Sequence, residues 1–144
     1  MTPQDPRGND PTPSAHDVPG VVTLESPGGV DELLRRVVER VESLGLDIFT
    51  VIDHSGEADE VGLTMPDTKV VMFGNPRAGT PLMRAHPLIA LDLPLKLLIW
   101  AGDDGRAFVS YNAPTYLSER FNLSSREAEA LRVVENIARA VVAD

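Results

Sequence analysis

Leu95-Lys96-Leu97-Leu98-Ile99-Trp100-Ala101-Gly102-Asp103-Asp104-Gly105-Arg106-Ala107-Phe108-Val109-Ser110-Tyr111 is the stretch that decides the fold. Two runs rich in β-branched, aromatic and aliphatic residues flank a Gly-Asp-Asp-Gly turn. Asp and Gly tolerate the positive φ that tight turns require, so the stretch is a β-hairpin, and its strands are antiparallel. Working outward, Lys69–Phe73, Asp47–Ile52 and Val21–Leu24 are further strands. Five strands, mostly without the crossover helices of a doubly wound sheet, lie between two long amphipathic helices. That order predicts an α+β two-layer sandwich with a mainly antiparallel sheet and the helices packed on one face.

The helices are read from their spacing. Val30, Leu33, Leu34, Val37, Val38, Val41 and Leu44 recur on one face, Asp31 and Glu32 suit the positive end of the dipole, Arg40 suits the negative end, and Gly45 supplies the stop. Ser124-Ser125 can cap a final helix that turns Ala128, Leu131, Val134, Ile137, Ala138 and Val141 inward. Glu57–Leu63 suits a short helix, and Thr80-Pro81 a helix start that must end before Pro87. Asp47–Ile52 is apolar at most positions of both faces, the pattern of a central or helix-covered strand.

Composition bounds the function. With 144 residues the chain makes one domain of ordinary size. The absence of cysteine excludes disulfides, thiolate nucleophiles and cysteine-bound metal. A net charge of −9, with Lys69 and Lys96 the sole lysines, disfavours nucleic-acid partners, which demand clustered Lys and Arg. No apolar run reaches the length that spans a bilayer and no signal stretch opens the chain, so the expectation is a cytoplasmic protein without membrane contact. Residues 1–20 hold Pro3, Pro6, Pro11, Pro13 and Pro19 without apolar periodicity and are expected to be a disordered leader, with the domain over residues 21–144.

Several residues have types and positions that can carry chemistry. Asp53 and His54 end a strand where a loop emerges; they suit acid–base work, while Asp is also strongly preferred as a helix cap. Lys96 shares a strand face with Leu98 and Trp100. A desolvated amine there suits a base or an anion contact, and an ion pair with Asp92 or Asp53 explains it as well. Gly74-Asn75-Pro76 followed by Gly79-Thr80 sets a donor-rich loop before a helix, suited to a small anion or small ligand, though it lacks the Walker pattern. His54 and His86 have no ligand partner at metal-binding spacing, so no metal is expected. His86, just before Pro87, reads as a helix-end residue capping carbonyls. Ser55 and Ser110 sit in no nucleophile elbow.

Ile52-Asp53-His54, Ala58, Gly62, Phe73-Gly74-Asn75-Pro76, Gly79-Thr80, Leu91-Asp92-Leu93-Pro94-Leu95-Lys96 and Tyr111-Asn112-Ala113-Pro114, taken in order and spacing, resemble the domain-of-unknown-function family 302 (DUF302) across residues 21–123. The resemblance implies a compact α+β fold and a homodimer, with no agreed activity, substrate or cofactor. One departure stands out: Phe121 occupies a place where similar sequences often carry histidine. The functional expectation is a small-ligand-binding or regulatory homodimeric module, without cofactor, whose site is lined by Asp53, His54, Asn75 and Lys96 and takes a small molecule or anion. The alternatives are an enzyme using Lys96 or His54 as acid or base, and a protein-interaction scaffold.

Overall fold

The computed structural model describes residues 17–143, so most of the expected leader, residues 1–16, lies outside the described residues. The chain forms β1 (Val21–Ser26), α1 (Val30–Ser43), β2 (Asp47–Asp53), α2 (His54–Glu60), β3 (Thr68–Gly74), α3 (Pro76–Ala85), a 3-10 turn (Pro87–Leu91), β4 (Leu95–Ala101), β5 (Ala107–Asn112), α4 (Pro114–Phe121), α5 (Ser125–Glu129) and α6 (Val133–Val142). The strands form one five-stranded sheet in the order β1-β5-β4-β3-β2, every neighbouring pair antiparallel. The fold is the α+β sandwich expected from the sequence.

The hairpin that decides the fold closes as its residues dictate. Gly105 adopts φ 84°, Gly102 N–H donates to the Arg106 carbonyl at 2.8 Å, and the Asp104 carboxylate accepts the Arg106 N–H at 3.1 Å. With that register fixed, Leu95, Leu97 and Ile99 point with Val109, Val71 and Phe73 to one face, where all are buried. Helix α1 adds Val30, Leu33, Val37 and Val41, and α6 adds Val134, Ile137, Ala138 and Val141; the two helices pack on each other and on this face. The opposite face carries Val70, Met72, Leu98, Trp100 and Phe108, all half-buried. Trp100 stacks on Phe108 with ring centroids 4.7 Å apart and donates its indole N–H to the Ser110 hydroxyl at 2.9 Å; that hydroxyl also bonds to Thr23 at 2.7 Å.

Four local readings differ from the sequence expectation. First, β2 is an edge strand rather than a covered one, with Phe49 51% and Val51 39% exposed. A register shift between Ile48 and Thr50 breaks the pairing there, and apolar residues on both faces do not distinguish an edge from a centre when a bulge turns them outward. Second, α3 begins at Pro76, capped by Asn75, and runs through Thr80-Pro81. Asn at the cap with Pro at the first helical position outcompetes the later Thr-Pro pair, and Pro81 forfeits one main-chain bond inside the helix. Third, α2 begins at His54, three residues before the expected Glu57, because Asp53 caps it. Fourth, the expected final helix is split into α5 and α6, with a full capping box between Ser124 and Glu127 at the start of α5.

The one-sided core makes a simple prediction for urea denaturation. Leu97→Ala, at a fully buried position, is expected to cost about 2–5 kcal/mol, whereas Leu91→Ala, at a residue 73% exposed, should change stability by no more than about 0.5 kcal/mol.

Candidate functional site

Asp53 ends β2 and caps α2. Its carboxylate accepts the Gly56 N–H at 2.9 Å and the Ser55 hydroxyl at 2.7 Å, and lies 3.7 Å from the Lys69 ammonium. The Ser55 hydrogen bond above all, then the Gly56 amide, holds its carboxyl below the ordinary carboxylate range. His54 is the first residue of α2 and is exposed. Lys96 is elsewhere. Asp53 pairs across the sheet with Lys69, Lys69 with Ile99, and Lys96 lies three residues from Ile99 along β4 on the opposite face. Strand rise and spacing then set Asp53 and Lys96 roughly 14 Å apart. The structure therefore divides the four residues singled out in the sequence: Asp53 and His54 stand at one end of the sheet, and Asn75 and Lys96 near the other.

Asn75 borders an apolar cavity of about 360 Å³. Its walls follow from local sequence. The bulge in β2 places Phe49 against Gly74, where the ring edge lies 3.4 Å from the position a Cβ would take. Ala78, Gly79 and Thr80 give α3 a face of short side chains, and Leu46, Leu82, Met83, Leu93, Pro94, Leu131 and Val133 complete the lining. Asn75 Oδ1 accepts the Arg77 N–H at 3.0 Å, and its carbonyl accepts from Ala78 and Gly79 at 2.9 and 2.8 Å. These bonds engage the amides of the first turn of α3, so no donor set for an anion is left there. The Asn75 amide nitrogen has no hydrogen-bond partner among the described residues, and neither has the Thr80 hydroxyl of the same lining.

Lys96 borders a second, smaller cavity of about 240 Å³, lined also by Val21, Val70, Asp92, Leu98, Ser110, Asn112 and Leu117. Its ammonium donates to the main-chain carbonyls of Asp92 at 3.3 Å and Pro94 at 3.1 Å, in place of the side-chain ion pair expected with Asp92 or Asp53. Those carboxylates pair with Arg120 and Lys69 instead. His86, expected to cap carbonyls, bonds through Nε2 to the Glu127 carboxylate at 3.1 Å. The Ser124 amide first and His86 second hold Glu127 below its ordinary range. No group of three or more metal-ligating side chains gathers among the described residues.

The model of the domain of unknown function DUF302 matches residues 22–143. The chain belongs to this family. The DUF302 chain is similar to a DUF302 protein of uncharacterised function from Bacillus stearothermophilus whose crystal structure covers 88% of this chain and 98% of its own, with a TM-score of 0.72 at 19% identity; that likeness carries the fold. Residues of the chain are also 37% identical over 115 positions to the fluoride-specific ion channel FluC 1 of Brucella suis, covering 80% of this chain and 45% of the relative. FluC 1 of Brucella abortus matches at the same identity over 43% of its length. The DUF302 chain thus spans less than half the length of these curated relatives.

Sequence reading singles out Asn75 and Lys96, each of which borders a cavity, but not their surroundings. The short run Ala78-Gly79-Thr80 inside a helix was the available signal for the apolar cavity, whereas the approach of Phe49 and Leu131 is tertiary.

A pH prediction follows from Asp53. Its folded-state value lies below that of the unfolded chain, about 4, so its contribution is complete above about pH 4 and is lost as pH falls through the folded value. Asp53→Asn should make the thermal midpoint fall less steeply between about pH 4 and pH 2 than in the unchanged protein, as followed by circular dichroism.

Proposed function

We propose that this DUF302 chain is a small-ligand-binding regulatory module that acts as a homodimer and takes a compact apolar ligand in the cavity beside Asn75. The cavity of about 360 Å³ is the observation that carries this reading. It falls in the size range of small-molecule sites, its walls are almost wholly apolar, and one unpartnered amide is placed to fix the orientation of a ligand oxygen. Ligand entry would displace little ordered polar structure, so the gain is chiefly the burial of apolar area.

The regulatory part draws support from the channel relatives. The region alike to this chain is less than half of each, and no helix among the described residues is long and apolar enough to cross a membrane. A domain of this kind beside a channel is suited to sensing rather than conduction, and a cytoplasmic location accords with that role. The enzyme alternative, with Lys96 or His54 as acid or base, has less support, since the two stand toward opposite ends of the sheet and cannot act together on one small substrate.

For the homodimer, the uncovered sheet face is the matching surface. Of the residues whose register turns them to this face only Glu25, Asp47 and Lys96 are charged, all toward its margins, in a chain of net charge −9. Five strands at their usual spacing and length present about 500 Å² per copy, hence about 1,000 Å² for a face-to-face pair, the lower bound of a specific interface.

Thermal unfolding with 1-octanol tests the cavity. The midpoint should rise with 1-octanol concentration, and Gly79→Leu, which fills the space with a better helix former, should abolish that rise without lowering the starting midpoint. A folded protein that ignores 1-octanol would remove the reading. Light scattering tests the dimer: the mass should be twice that of one chain and return to one chain in Leu98→Glu, which sets two carboxylates against each other at the centre of the face. A single-chain mass across the micromolar range would eliminate the homodimer.

A further inference from the structure

The apolar cavity has a mouth whose free polar groups are hydrogen-bond donors. Of the lining residues, Phe49, Asn75, Pro76, Ala78 and Thr80 are exposed, while Leu82, Leu95 and Leu131 are buried. The opening therefore runs along the first turns of α3. Asn75 Oδ1 is already used by the Arg77 N–H, so this edge presents the Asn75 amide nitrogen and the Thr80 hydroxyl. No residue of the lining is charged.

Arg77 stands within this edge, between Pro76 and Ala78 and three residues before Thr80; Arg84 follows Thr80 by four. Residues three and four apart are neighbours on a helix surface, so the two arginines flank Thr80 along α3. Both are exposed and neither has an acidic partner among the described residues, whereas Arg35, Arg36, Arg106, Arg120, Arg132 and Arg139 are each held by a carboxylate at 2.8–3.4 Å. Asp47, opposite Gly74 in the sheet, turns to the uncovered face and does not line the cavity. The place of Arg77 is also unfavourable for folding. It lies in the first turn of α3, at the positive end of the helix dipole, and no acidic side chain accompanies it there. In a chain of net charge −9, a cation kept at that position without a partner finds its counter-charge outside the chain.

We propose that the ligand of this cavity is a medium-chain carboxylate, with its aliphatic tail in the apolar space and its head at the mouth. Arg77 and Arg84 neutralise the head there, and the Asn75 amide and Thr80 hydroxyl donate to it. The assignment rests on the cavity reading above and gives that ligand its charge. A neutral alcohol fills the space and leaves both guanidinium groups unpaired. A cationic head meets two like charges, and a doubly charged phosphate is opposed more strongly than a carboxylate by the net charge of the chain. The head keeps its contact with water at the mouth, so its desolvation costs little, and burial of the tail drives binding.

Thermal unfolding of the full chain at neutral pH and low ionic strength tests the assignment, with sodium octanoate, 1-octanol and octylammonium chloride compared below the concentrations at which they form micelles. Octanoate is expected to reach a given rise in midpoint at a concentration about three- to tenfold lower than 1-octanol, and octylammonium at a higher one. Salt at about 0.5 M should bring octanoate toward 1-octanol, because exposed charges are then screened. The double substitution Arg77→Gln with Arg84→Gln is expected to remove the advantage of octanoate. Arg77→Gln alone, which takes a cation from the start of α3, should not lower the midpoint of the free protein. If the double variant does not fold, the comparison of octanoate with octylammonium in the unchanged protein decides. Silence toward both octanoate and 1-octanol overturns the cavity reading and this assignment with it. Stabilisation by 1-octanol that octanoate does not exceed, or an octanoate advantage that survives in the folded double variant, overturns the carboxylate alone and leaves the cavity reading standing.

Discussion

The burial of α1 and α6 against a single face of the sheet is the constraint on which the rest of the molecule depends. Val37 and Val41 from one helix and Ile137, Ala138 and Val141 from the other meet Leu97, Ile99, Val71 and Val109, all at or near complete burial. Because side chains alternate along a strand, that contact fixes which residues face inward on all five strands at once. A slip of one residue in β4 would move Lys96 into the core and Leu97 out of it. The position of Lys96 at the sheet opening, and of Leu98 and Trp100 on the uncovered face, is thus a consequence of helix packing on the other side.

The same constraint explains where the two cavities lie. The helices hold the centre of the sheet, and the irregular places lie near the end that carries Gly74 and Lys96. On one side of it, the bulge in β2 and the short side chains of α3 leave apolar space; on the other, β5 follows β1 while β4 follows β3, and the sheet parts. Polar groups that would be expensive at the centre are tolerated at these margins, where Lys96 finds carbonyls and Asp92 finds Arg120.

The sequence was most legible where local chemistry and periodicity agree. The Gly102–Gly105 turn, the apolar stripe of α1 as far as Val41 and the inward Val134, Ile137, Ala138 and Val141 of α6 emerge as read, since each depends on neighbours three or four positions away or on a turn of fixed type, whereas Leu44, read on the α1 stripe, caps the helix and is exposed. The family resemblance, carried by the Phe73–Pro76 and Leu93–Lys96 motifs, is likewise confirmed. Position within the sheet was less legible: Asp47–Ile52 has the apolar content of a central strand and lies at an edge, because strand order is decided by pairing partners far along the chain. Site geometry was legible only in pieces. Asn75 and Lys96 each border a cavity, but the partner of Asp53 is Lys69, one strand across, and the partner of Asp92 is Arg120 on α4; such pairings are not local in sequence.

Glu127 is used twice. Its carboxylate closes the capping box at the start of α5 and also holds the imidazole of His86, where α3 ends. The end of α3 and the start of α5 are therefore joined by one side chain, and fraying at one end loosens a contact of the other. Main-chain amides at these two ends, far apart in sequence, then open to solvent in a coupled way rather than independently.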